Sequence, residues 1–135
     1  MAERIAVVAL MVVIGAALGG CAGPQWGQKP GKVFERAVRD NRPVLTYYST
    51  ATCKWSARME RKVFSDPVIV ERLDQFVLLR RDFVMWKSEA KNMGIGGTPG
   101  FVVRRPSGTM MGAPAVGYMG AAEFRAFLAV ALLQR

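Results

Sequence analysis

Histidine is missing altogether from the 135 residues. Its absence removes Ser-His-Asp and Cys-His catalysis together with every histidine-based metal site, so any nucleophile here must be activated by other means. Cysteine is scarce: Cys21 and Cys53 are the whole supply. Lys and Arg outnumber Asp and Glu 19 to 10, for a formal net charge of +9. Those cations form no basic block; they are scattered through RAVRDNR, RMERK, LLRRDF and VVRRP, with no nucleic-acid motif beside them. Such a surface attracts anionic headgroups or acidic partners without specifying either, and nucleic acid is not expected as a partner. Soft-metal binding lacks its signature too. Of eight methionines, Met1 and Met11 precede Cys21, while Met59, Met85, Met93, Met110, Met111 and Met119 show no tight Met-x-x-Met cluster. Met59 reads as core and Met110-Met111 as opposite faces of a strand, so no metal and no cofactor is expected. There is no internal repeat. What is present, 51% apolar and 10% aromatic residues, suits one domain with a hydrophobic core.

The chain opens with Arg4, runs apolar from Ile5 to Leu18 and then turns to small residues. That is the build of an export signal, with an apolar run short of the ~20 residues of a comfortable membrane span. Leu18-Gly19-Gly20-Cys21 resembles the lipobox of bacterial lipoproteins, which implies a signal peptide over 1–20, cleavage, and lipid on Cys21. An uncleaved amino-terminal anchor helix is the alternative. Ala22, with no acid after the cysteine, points within that resemblance to the outer membrane more than the inner. Either way the rest of the chain is expected outside the cytoplasm, facing the periplasm, where disulfides persist. With Cys21 lipidated, Cys53 is the only free thiol, and no disulfide within one chain can form. Residues 21–31, rich in Gly, Pro and Gln, read as a flexible tether, leaving 32–135 as the domain.

Within that domain, Val33, Phe34, Ala37 and Val38 have helical spacing, and RPVLTYYST reads as a buried strand. Trp55, Met59 and Val63 stand four apart, which predicts a helix with Cys53 in its first turn. Asp66 is placed to cap a following helix and Pro67 to open it. FVLLRRDF predicts a second strand and KSEAKNM a short polar helix. Two strand-like runs then flank a turn at Pro106-Ser107-Gly108, and a last helix puts Phe124, Phe127, Leu128 and Leu132 on one face. The resulting order, α-β-α-β-α-β-β-α, implies an α/β fold, a mixed sheet with helices packed on it.

With those residues placed, the chain from Lys32 onward resembles the thioredoxin superfamily, in particular envelope thiol-disulfide interchange domains. Three stretches carry the likeness: PVLTYYSTATC, a strand running into a cysteine at a helix start; KVFSDPVIVERL, like the segment after the active-site helix; and GIGGTPGFVV, like the loop with a cis-proline before a strand. The resemblance implies a thioredoxin-like fold. It makes Pro99 the candidate cis-proline, preceded by Thr98, in a loop lying beside Cys53 and holding extended substrate backbone. It also brings Trp55 next to the site. Two departures stand out: Ser56 replaces the resolving cysteine, and Tyr47 stands where many thioredoxins keep a buried acid. The helix amino terminus, Lys54, Arg58 and the Ser56 hydroxyl are each expected to favour a Cys53 thiolate, against burial, which would oppose it. The expected activity is monothiol exchange, with Cys53 as nucleophile, Ser56 tuning it, and Trp55, Thr98 and Pro99 meeting envelope proteins that carry cysteines or disulfides. A binding or chaperone-like module without redox turnover is the competing reading.

Overall fold

Six consecutive buried residues, Val44–Ser49, form the strand β1, which lies inside the sheet and is covered on both faces. The computed structural model describes residues 23–134. The expected signal peptide and Cys21 lie outside the described residues. β2, Val77–Asp82, pairs parallel to β1, with Val44 opposite Val77 and Ser49 opposite Asp82. β3, Gly100–Arg104, pairs antiparallel on the other side, with Val44 opposite Arg104 and Tyr48 opposite Gly100. A two-residue strand β4, Ala115–Val116, completes the order β2-β1-β3-β4. A strand buried on both faces has no polar alternation, which is why VLTYY reads as one continuous apolar run.

The helices sort by the parity of β1. Val44 faces α1, Pro30–Asp40, through Val33 and Ala37, and Tyr48 faces α4, Lys87–Asn92, through Ala90. Leu45 and Tyr47 point the other way, into the larger core formed with Met59 and Val63, just beyond α2, Lys54–Arg58, and with α3, Pro67–Leu73, and α5, Ala121–Leu132. That core is aromatic: Phe101 lies 5.3 Å from Tyr47 and 5.0 Å from Phe124 between ring centroids. Phe124 and Leu128 are buried as expected.

Local signals acted as their chemistry predicts. The Asp66 carboxylate accepts from Val68 N at 2.9 Å and Ile69 N at 3.4 Å, with Pro67 opening α3. Asn41 ends α1 in the left-handed region, φ 49°. The turn at Pro106-Ser107-Gly108 closes through Arg105 N to Thr109 O at 2.7 Å, with Gly108 at φ +96°. Met111 packs into the larger core and Met110 against the other cluster, on opposite faces as expected.

Three features differ from the sequence reading. After Arg58 the helix widens into a π-helical turn, Met59–Val63, and the stripe is not buried along its length: Met59 and Val63 are buried, while Trp55 is 43% exposed. The second strand-like run is short; a single bridge, Arg104 to Met110, precedes Gly112 at φ +77°, and pairing resumes only at Ala115. The span expected as tether is docked from Trp26 onward. Trp26 packs 5.4 Å from Tyr47 and 5.2 Å from Phe64, and Gly27 bridges to Leu79 along β2. A Cβ on Gly27 would meet Val33 Cγ2 at 2.6 Å, so this close approach needs glycine. α1 then starts at Pro30, two residues before Lys32.

Candidate active site

Strand pairing decides what meets Cys53. Because β1 and β3 are antiparallel, with Tyr48 opposite Gly100, residues just after β1 and just before β3 lie at the same sheet edge. A turn follows β1, closed by Cys53 N to Thr50 O at 3.3 Å, and delivers Cys53 as the cap residue of α2, in extended backbone with φ −79° and ψ 111°. Ahead of β3, the Thr98-Pro99 bond is cis. The Cys53 thiol donates to the Thr98 carbonyl at 3.6 Å, although 45 residues separate them. Gly100 follows because a Cβ there would meet Ile95 Cγ2 at 2.5 Å and Gly97 O at 3.1 Å.

Cys53 Sγ also accepts from Ser56 N at 3.4 Å, the capping contact of α2. Partial burial pushes the thiol up. The nearby Ser56 and Thr98 side chains and the backbone N–H groups of Ser56 and Trp55 favour the thiolate, outweigh burial and bring the thiol down from 9.0 to about 7. Ser56 is fully buried, and its Oγ has no hydrogen-bond partner among the described residues. A thiolate supplies the acceptor that this hydroxyl lacks. The site is therefore better satisfied with the sulfur charged.

The sequence reading also placed Lys54 and Arg58 near the sulfur; in the structure both lie over aromatic rings. The leading causes of the thiol's shift are burial and contacts from Ser56, Thr98 and Trp55. The Lys54 ammonium lies 5.3 Å from the Trp55 ring centroid, and the Arg58 guanidinium lies 5.8 Å from Trp55 and 4.9 Å from Tyr118. Trp55 and Tyr118 rings are 5.9 Å apart. Tyr118 was missed in the sequence. It arrives through β4, where Val116 pairs with Gly100 and Gly117 N donates to Pro99 O at 2.8 Å, a register that local pattern does not encode. Tyr47, in place of an acid, is buried, and its hydroxyl donates to Ser56 O at 3.4 Å. Burial raises its pKa, so it remains neutral. The arrangement offers one partly exposed, stabilised sulfur beside a cis-proline loop, with no second thiol among the described residues.

Comparisons with known proteins agree with this geometry. The family model of a thioredoxin-like domain matches residues 31–131. No curated protein matches in sequence. Among solved structures, a DsbH oxidoreductase aligns with TM-score 0.70 at 16% identity, covering 84% of this chain and 88% of that one. A thioredoxin from Thermus thermophilus aligns with TM-score 0.71 at 23% identity, covering 83% and 89%. The carboxy-terminal domain of Neisseria meningitidis DsbD in its oxidised form aligns with TM-score 0.63 at 18% identity, covering 82% of this chain and all of that one. At such identities these structures speak for the fold; the family model spans nearly the whole described chain, and the protein belongs to the thioredoxin-like family.

Proposed function

We propose that the protein is a monothiol thiol-disulfide exchange protein of the bacterial cell envelope. The observation that carries this reading is the Cys53 sulfur itself: partly exposed, beside the cis Thr98-Pro99 bond, and lowered to about 7. At neutral pH half of such a sulfur is the nucleophilic thiolate. Its thiolate attacks one sulfur of a partner disulfide, forms a mixed disulfide and displaces the partner's other sulfur as a thiolate. With serine at position 56, release comes from outside. A second partner thiol attacks the partner's sulfur in the adduct, closes a new disulfide and frees the Cys53 thiolate, a shuffling with no net oxidation. Ser56 tunes the sulfur, while Trp55, Thr98 and Pro99 meet the partner chain. Lipid on Cys21 would hold the domain on the periplasmic side of the membrane, the outer membrane more than the inner, within reach of envelope proteins with cysteines or disulfides.

The alternative, a thioredoxin-fold binding or chaperone-like module, draws on the missing resolving cysteine and the exposed Trp55. The two separate on one experiment with the full-length protein: the rate of Cys53 alkylation against pH, alongside partner capture by wild type and Cys53→Ala. Exchange requires a rate midpoint near 7 and capture that disappears in Cys53→Ala. A midpoint at or above that of a free thiol, with capture undiminished in Cys53→Ala, leaves the binding module.

A further inference from the structure

Beside Cys53 stands a group of side chains that the tuning of the sulfur does not use. Lys54 and Arg58 carry two positive charges onto the rings of Trp55 and Tyr118, and neither forms an ion pair among the described residues. Three acids of the described chain are engaged elsewhere. Glu60 pairs with Arg80 at 2.6 Å, Glu89 with Arg81 at 2.6 Å, and the Asp82 carboxylate accepts from Met85 N at 2.9 Å. Cation–π contact holds long, flexible side chains in place, so the charge stays beside the sulfur. The apolar part of the same ledge is open to solvent: Trp55 is 43% and Val116 52% exposed. A fixed pair of cations over two aromatic rings, next to a nucleophile, complements an acidic segment with apolar or aromatic side chains.

We propose that Lys54, Trp55, Arg58 and Tyr118 form a selectivity ledge that favours partner cysteines flanked by Asp or Glu over cysteines flanked by Lys or Arg. The inference rests on the exchange reading above and names its partner chemistry. Its effect is chiefly on encounter. Two attractive charge pairs at the mouth of the site raise the rate with an acidic segment and lower it with a basic one, and salt removes both effects.

The test uses the full-length protein and three short peptides, each with one cysteine held as a mixed disulfide with thionitrobenzoate and flanked by Glu, Ser or Lys. Cys53 thiolate attacks the peptide sulfur, the S–S bond breaks, and thionitrobenzoate leaves with the electron pair as a coloured thiolate. The expected result is a rate about tenfold higher for the Glu than for the Lys peptide at ~10 mM salt, narrowing to about twofold or less at ~0.5 M. In Lys54→Gln/Arg58→Gln the ratio collapses toward one. In Arg39→Gln/Arg72→Gln, which removes the same charge from the helix ends that lead into the opposite sheet edge, the ratio persists. Equal rates for the Glu and Lys peptides in wild type would overturn the ledge while leaving exchange intact, as would a preference that survives Lys54→Gln/Arg58→Gln. A ratio lost equally in both double variants would assign the preference to net charge and also overturn it. No release from any of the three peptides would overturn the exchange reading, and the ledge with it.

Discussion

Replacing Ser56 by Ala removes the side chain that leads the lowering of the Cys53 thiol. Burial raises the Cys53 thiol and hydrogen bonds bring it to about 7; the Ser56 hydroxyl leads the lowering contributions, and the backbone N–H groups survive the substitution. A hydrogen bond to a charged group is worth about 1.5–3 kcal/mol. Water reaches this partly exposed sulfur and replaces part of the loss, so about 1.4 kcal/mol, or one pH unit, is the expected displacement of the midpoint. The thiolate fraction at pH 7 then falls from about one half to about one tenth. A more basic thiolate is also a better nucleophile, by about threefold for that displacement at a Brønsted slope of 0.4–0.5. The exchange rate with a small neutral disulfide should therefore drop only about twofold at pH 7 and rise about threefold above pH 9, so that the two profiles cross. The fold should tolerate the change, because the hydroxyl removed is a buried group without a partner. Stopped-flow exchange of wild type and Ser56→Ala from pH 5 to 10 makes the measurement. An unmoved midpoint would refute the role given to Ser56, and a rate lowered equally at every pH would assign it to positioning instead.

Ser56→Cys restores a second thiol at a helical spacing of three, within disulfide reach; mass spectrometry after mild oxidation should show an intramolecular bond between Cys53 and the introduced thiol, and mixed disulfides should become shorter-lived. Stability should also follow the Cys53 sulfur. A thiol lowered from 9.0 to about 7 by folding contributes stability that is full above pH 9 and is lost as pH falls through 7. Solvent screening reduces the ideal value to about 1 kcal/mol. With no histidine in the chain to titrate in that window, urea midpoints should rise from pH 6 to pH 9.5 in wild type and stay flat in Cys53→Ala. Glu89 accepts from the Tyr48 hydroxyl at 2.8 Å and from the nearly buried Arg81 at 2.6 Å. Glu89→Gln strands that guanidinium and should cost about 1–3 kcal/mol of folding free energy by denaturant titration, less than a fully buried pair because Glu89 is partly exposed.

The sequence was most legible where structure is decided locally. The run VLTYY, the cap at Asp66 with Pro67, and Cys53 at a helix start all depend on residues within a few positions of one another. The loop before β3 was legible through a motif, GIGGTPGFVV, whose proline is indeed cis. What escaped was decided across the chain. Trp55, in the first turn of α2, stays 43% exposed beside Tyr118 while Met59 one turn on is buried. Tyr118 joined the site through the pairing of Val116 with Gly100. Trp26 docked because Tyr47 and Phe64 offered rings at just over 5 Å, although its Gly- and Pro-rich surroundings read as linker. The rings that hold Lys54 and Arg58 belong with these: spacing placed their charges near Cys53, and only the fold showed Trp55 and Tyr118 as their cation–π partners.

Tyr47 and Ser56 together leave the proposed exchange site without a means of its own to release an adduct. The two are in contact, hydroxyl to carbonyl at 3.4 Å. Tyr47 is ringed by Trp26, Phe64 and Phe101, with the Arg80 guanidinium 5.5 Å above it. A carboxylate at that position would sit among hydrocarbon, with little solvation beyond one arginine already paired with Glu60. Such a cost is sustained where a second thiol must be deprotonated, and with serine at 56 there is none. An aromatic ring fills the same space and adds packing to the core. It follows that Ser56→Cys alone recovers the bond-forming half of a dithiol cycle more fully than the proton-transfer half. The new thiol would be buried like the serine it replaces and would face the Tyr47 hydroxyl, whose own proton burial holds in place. Fast release would require both positions to change, and changing Tyr47 would dismantle the stack that anchors Trp26 and Phe101.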